Sequence, residues 1–194
     1  MLIKRVMGRQ VPRGGLPADV GAVVSNISTV KAISDAIQTG MPLVERVVTV
    51  TGERVAKPGN FIVKVGTNVK ELIDYCGGIT GEDVTIKAGG PMMGFPQTDV
   101  NFPIMKGSNG IIAIDTDHTQ AVECIKCGRC VDVCPMELKP LYYAKFADAE
   151  NWTAMKEYNV MDCLECRSCE YICSSKIPLV SKIKAGKNAV RGMK

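Results

Sequence analysis

Residues 124–135 read CIKCGRCVDVCP, and residues 163–174 read CLECRSCEYICS. The spacing of Cys124, Cys127, Cys130 and Cys134 therefore returns at Cys163, Cys166, Cys169 and Cys173, 39 residues further on. A CxxCxxCxxxC run is the ligand pattern of bacterial two-cluster ferredoxins, in which three cysteines hold one 4Fe-4S cube and the fourth ligates the other. Cysteines three apart on a turning loop wrap three corners of a cube, whereas a fourth that leads into a helix points away from it. This reading assigns Cys124, Cys127, Cys130 and Cys173 to one cluster, and Cys163, Cys166, Cys169 and Cys134 to the other. Apolar residues repeat in the same register: Ile125 with Leu164, Val133 with Ile172, and Leu138 with Ile177. They are expected to wall the clusters from water, which is one lever on reduction potential.

Two other uses of the cysteines fit less well. Structural zinc takes four ligands per ion, most often as two separated CxxC pairs, and a duplicated four-cysteine run is not that pattern. Disulfides are expected in oxidising compartments, and no secretory signal is read at the start of the chain.

The 194 residues suffice for one or two domains, and 46% hydrophobic with 23% charged residues describes an ordinary globular protein. No run approaches the 18 consecutive apolar residues of a membrane span, so no transmembrane segment is expected. The formal charge of +4 counts the cysteines as neutral. Two cubes with their thiolates would bring about −4, leaving the loaded protein near neutrality and giving a nucleic-acid partner no support. The charge is uneven, since Lys176, Lys182, Lys184, Lys187, Arg191 and Lys194 follow Tyr171 with no acidic residue among them. That stretch reads either as a solvated, fraying terminal helix or as a surface for an acidic partner or anionic lipid headgroups.

Working back from the cysteines, three segments differ in pattern. Within residues 1–44, the first 26 are rich in Gly, Pro and Arg with no clear period, and RQVPRGGLPADVG at residues 9–21 predicts an irregular loop that could cover a ligand. A helix follows over Ser28–Gln38, with Val30, Ile33, Ala36 and Ile37 at helical spacing and a stop at Gly40 and Pro42. One short helix cannot bury its own apolar face, so this piece reads as the edge of a larger domain. Residues 45–117 carry short strands at Val47–Val50, Phe61–Val65, Val84–Ala88 and Ile111–Ile114. Between the second and third lies a helix opened by Asn68 and Glu71 and closed by Gly77 and Gly78. This order predicts a compact β-grasp module. Residues 118–194 are helical and hold the cysteines, with Pro140 at a helix start and Trp152, Met155 and Tyr158 packing near the clusters. The fold class expected is thus α+β, a β-grasp domain followed by an α-helical dicluster ferredoxin-like domain.

The cysteine runs with CPMELKPLYYAKF and CSSKIPLV, together with GRQVPRGGLPADVGAVVSN and AGGPMMG, resemble the C subunit of the Rnf ion-translocating ferredoxin:NAD oxidoreductase, the RnfC family. The likeness runs through essentially the whole chain, although members of that family are longer and carry an N-terminal half that these residues do not match. It implies a remnant of a flavin- and NADH-binding domain, then a ligand-binding β-grasp domain of the SLBB type, then the dicluster domain. It also implies a peripheral place on the cytoplasmic side of the cell membrane with the other Rnf subunits, and contact with ferredoxin and NAD(H) through the complex. The resemblance places SNISTV where a flavoprotein segment lies beside FMN, making Asn26 and Thr29 candidate FMN contacts; helix capping by the same residues is the alternative. The irregular GRQVPRGG lacks the strand and helix that a dinucleotide fingerprint requires, so the chain alone is expected to carry electrons rather than reduce NAD. A cobalamin reductase resembles the same family, and a non-redox binding module with structural metal is the reading outside the oxidoreductases.

The remaining features read as structural. Gly89, Gly90, Pro91 and Gly94 suit a tight connection, or else close approach of a cofactor or partner backbone. Cys76 is expected as a buried free thiol and His118 as an exposed loop residue. No nucleophile, base and acid stand together in a motif, so no catalytic residues are assigned.

Overall fold

A computed structural model describes residues 2–12 and 14–193. Arg13 of the amino-terminal loop and Lys194 of the basic tail lie outside the described residues. In chain order the helices and strands are α1 (Leu2–Met7), α2 (Ile27–Thr39), β1 (Glu45–Thr51), β2 (Gly59–Lys64), α3 (Val69–Tyr75), β3 (Val84–Ala88), β4 (Phe95–Gln97), β5 (Gly110–Asp115), α4 (Arg129–Asp132), α5 (Pro140–Asp148), α6 (Trp152–Glu157), α7 (Ser168–Tyr171) and α8 (Leu179–Gly192). They divide into two compact units, residues 25–118 and residues 1–24 with 119–194.

The first unit is built on a mixed sheet in the order β2-β1-β5-β3-β4. β1 and β2 form an antiparallel hairpin, while β5 returns parallel to β1, with Val50 opposite Ile111. Alternation sets the buried face, since Val48 and Val50 of β1 are fully buried and Val47 beside them faces outward. Helix α3 covers that face with Val69, Leu72 and Ile73, and Cys76, Ile86, Ile104 and Ala113 complete the core. Asn68 opens α3 by accepting from the Lys70 amide through Oδ1 (2.9 Å), and Gly77 and Gly78 turn out of it at φ +85° and +86°. Burial pushes the Cys76 thiol up. Gly89 and Gly94 lie in the connection from β3 to β4, where the Gly94 amide donates to the Gly90 carbonyl (2.8 Å). His118 is exposed and hydrogen-bonded to Asp83, whose carboxylate holds the imidazole pKa above its ordinary value.

Helix α2 ends at Gly40 in the left-handed region, φ +71°. It has no buried residue: Ile27, Val30, Ile33 and Ile37 are all exposed. Its apolar stripe is thus left without a cover within its own unit.

The second unit wraps α5, α6 and α8 around Leu138, Tyr143, Met155, Val160, Ile183 and Val190. Gly186 in α8 leaves room for Met155, whose Cε would stand 2.3 Å from a Cβ there. The buried Tyr143 donates its hydroxyl to the Tyr158 carbonyl (2.5 Å), and Tyr158 also packs on Tyr142 and Phe146. The described residues of RQVPRGGLPADVG are irregular apart from a 3-10 turn at Pro17–Val20, and α1 precedes them.

Candidate metal centres

The 39-residue repeat is written into the backbone. Lys126, Gly128 and Glu137 take φ values of +58°, +79° and +57°; Glu165, Arg167 and Lys176, each 39 positions later, take +55°, +62° and +52°. The short helices α4 and α7 are offset by the same interval, as are the starts of α5 and α8. Within each loop an amide is turned onto a thiol: Lys126 N–H lies 3.4 Å from Cys124 Sγ, and Glu165 N–H 3.4 Å from Cys163 Sγ. These left-handed residues let the chain curl tightly enough to present successive cysteines inward. Arg167 stands where the first loop has glycine, at a cost of about 1–2 kcal/mol for an L-residue in that region. Replacing Arg167 with glycine is expected to stabilise the unit by a net of about 0.5–1 kcal/mol after glycine's own entropic cost. Anaerobic thermal unfolding would show this as a higher midpoint.

Two cavities result. One is lined by Cys124, Cys127, Cys130 and Cys173 with Leu141, Ile177 and Leu179. The other is lined by Cys163, Cys166, Cys169 and Cys134 with Leu138, Tyr143 and Ile183. All eight cysteines of the two runs are brought to these cavities, three from one run and the last from the other in each case. Among the described residues, no three His, Cys, Asp or Glu side chains converge on one ion's position. Four sulfur donors around each such space fit a four-iron core.

The two sites differ in access to solvent. Cys124 and Cys127 are exposed, whereas Cys169 is buried and Cys134, Cys163 and Cys166 are half-buried. The Arg129 amide pulls the Cys127 thiol below its ordinary pKa. Burial, then the neighbouring Cys163 and Cys166, pushes Cys169 up to about 12, and burial also raises Cys163 and Cys130.

The apolar pairs divide. Leu138 and Ile177 are buried beside the cavities as expected. Ile125 and Leu164 touch the cavities but are 67% and 48% exposed, and Val133 and Ile172 also reach solvent. Ile125 and Leu164 sit at the rim beside the left-handed Lys126 and Glu165, and Val133 and Ile172 end α4 and α7 and line neither cavity, so the four do not wall the sites from water. The basic terminal segment is also not a fraying helix: α8 buries Leu179, Val180, Ile183 and Val190. Its lysines have acidic partners in the same unit, Lys182 at Asp148, and Lys184 and Lys187 at Glu165. Lys187, which the sequence shows only as one of that basic run, is 7% exposed. Its place on the stripe of Leu179, Ile183, Gly186 and Val190 marks it as a buried cation.

Next to the second cavity, Ile3, Gln10 and Pro12 line one side of a wide cleft whose other side includes Tyr158 and shares Met136, Cys163 and Leu164 with that cavity. Asn26 caps α2, its Oδ1 accepting from the Ser28 amide at 2.9 Å, and Thr29 is exposed on the first turn. That bond is helix capping, the alternative role of the SNISTV segment.

A domain with this duplicated cysteine architecture, preceded by the mixed sheet, defines an iron–sulfur protein of the dicluster type. Residues 123–177 match the 4Fe-4S dicluster domain family, and residues 47–96 match the SLBB domain family. The chain is 48% identical over 166 residues to the C subunit of the proton-translocating ferredoxin:NAD(+) oxidoreductase complex of Clostridium ljungdahlii, covering 84% of this chain and 36% of that protein. It is 40% identical over 192 residues to the C subunit of the Na(+)-translocating ferredoxin:NAD(+) oxidoreductase complex of Acetobacterium woodii, covering 97% and 43%. With the C subunit of the ion-translocating oxidoreductase complex of Pseudomonas aeruginosa it shares 38% identity over 194 residues, 98% of this chain and 25% of that protein. The chain belongs to this C-subunit family, and it spans less than half the length of these relatives.

Proposed function

We propose that the chain is the electron-carrying part of the C subunit in an ion-translocating ferredoxin:NAD oxidoreductase complex. Cys124, Cys127, Cys130 and Cys173 hold one 4Fe-4S cluster, and Cys163, Cys166, Cys169 and Cys134 hold the other. The observation that carries this reading is the crossing of the fourth cysteine of each run into the other run's cavity. When bound, such clusters supply one-electron carriers. The chain's residues orient the sulfurs, turn amide N–H groups onto Cys124 and Cys163, and hold the second site drier than the first.

The names of the relatives support further steps of the same reading. The partners are the other subunits of the complex, with ferredoxin and NAD(H) reached through it and no nucleic acid involved. No helix of the described residues is long and apolar enough to cross a membrane, which suits a peripheral subunit on the cytoplasmic side. The uncovered stripe of α2 suits the edge of a flavin-binding domain in residues 1–44, ahead of the SLBB domain at 45–117 and the cluster domain at 118–194. Asn26 and Thr29, at the start of α2, would then contact FMN.

Metal analysis of anaerobically purified protein tests the central claim. About eight iron and eight acid-labile sulfide per chain are expected. One or two zinc ions and no sulfide would replace the electron carrier with a binding module.

A further inference from the structure

Lys187 is the charged side chain most deeply placed in the second unit, and it reaches the second cysteine loop. Its ammonium donates to the carbonyl of Cys163 (3.0 Å) and to Glu165 Oε1 (2.6 Å). Glu165 is the left-handed residue whose own amide is turned onto Cys163 Sγ. A buried cation thus grips the ligand loop at two points. Lys184 lies 3.7 Å from the other oxygen of Glu165, so two lysines share one carboxylate here. The repeat does not reproduce this arrangement. The position 39 residues before Lys187 is Asp148, which pairs with Lys182, and the counterpart of Glu165 is the exposed Lys126.

We propose that Lys187 is a positioning residue that makes the two clusters unequal, raising the electron affinity of the one at Cys163, Cys166, Cys169 and Cys134. The proposal rests on the two-cluster reading above. Reduction adds one negative charge to a cluster, and a fixed positive charge in a poorly solvated region favours that change. Burial of the same site works in the opposite direction, so the lysine cluster offsets a drop that the dry cavity would otherwise impose. Glu165 limits the effect by neutralising part of that charge while holding the loop.

Redox titration of the full chain, followed by electron paramagnetic resonance, tests this. Iron and sulfide are measured first on each variant, because a wild-type chain without clusters would defeat the two-cluster reading and not this proposal. A Cys127→Ser background assigns the signal of the second cluster. Lys187→Met is expected to weaken electron uptake there at least tenfold, 59 mV for a one-electron couple, with the first cluster unmoved. Glu165→Gln is expected to shift it the opposite way, and Lys187→Arg to restore the wild-type potential. Unchanged potentials at full cluster content, or shifts of the same sign in Lys187→Met and Glu165→Gln, would reduce the lysine to a loop support and overturn the proposal. Should Lys187→Met lose the second cluster, Glu165→Gln decides alone: a rise supports the proposal, while a fall or no change overturns it.

Discussion

Serine at position 134 is expected to remove the cluster of the second cysteine run and leave that of the first. Cys134 closes the first run in sequence, so a reading run by run would have it damage the cluster at Cys124, Cys127 and Cys130. The fold sends it elsewhere. Its side chain lines the cavity of Cys163, Cys166 and Cys169 and packs with Met136 and Cys163 against the Tyr143 core, whereas Cys130 and Cys173 pack against a separate set with Leu179 and Val180. The amide of Leu138 lies 3.4 Å from Cys134 Sγ. Iron should fall from about eight to about four per chain, with the signal of the more exposed cluster retained. Cys173→Ser should give the mirror result. Loss of the first cluster in Cys134→Ser, with the second intact by spin count, would disprove the crossed ligand sets.

Much of this was legible because each element of the sheet carries its own local signal. Val48 and Val50 alternate with outward residues, Val84–Ala88 is bounded by turns, and Asn68 with Gly77 and Gly78 brackets α3. The crossed cysteines followed from ligand reach and from a repeat that the backbone keeps. What escaped depends on three-dimensional neighbours. β4 has three residues, too few for a period, and α1 lies in a segment whose Gly, Pro and Arg content masks it. Ile125 and Leu164 look like core residues in sequence, yet the left-handed residues beside them swing their side chains to the rim. The basic run after Tyr171 looks like a free surface because its carboxylate partners, Asp148 and Glu165, are distant in sequence.

Gly52→Ala is expected to destabilise the SLBB unit severely, while the iron content of the cluster unit stays unchanged. Gly52 follows β1 directly, at φ +118°, where the chain bends over β5. A Cβ there would lie 2.0 Å from the Ala113 carbonyl oxygen and within 2.8 Å of that residue's backbone carbon and nitrogen. Nothing flexible can yield. Ala113 is 1% exposed in the strand that pairs with both β1 and β3, and its carbonyl already accepts from the Arg54 amide (3.2 Å). The strained dihedral costs about 1–3 kcal/mol and the clash a similar amount or more, which together rival the 5–15 kcal/mol that holds a domain folded. Gly66→Ala separates the two costs. Gly66 has φ +99° but no atom within 4 Å of its would-be Cβ, so its replacement carries the dihedral strain alone. Denaturant unfolding of the two variants should therefore differ by the clash, with Gly52→Ala the less stable by about 1–3 kcal/mol or more. Equal losses would mean that the turn after β1 can move away from β5, and that the parallel pairing of Thr51 with Ile112 does not fix it.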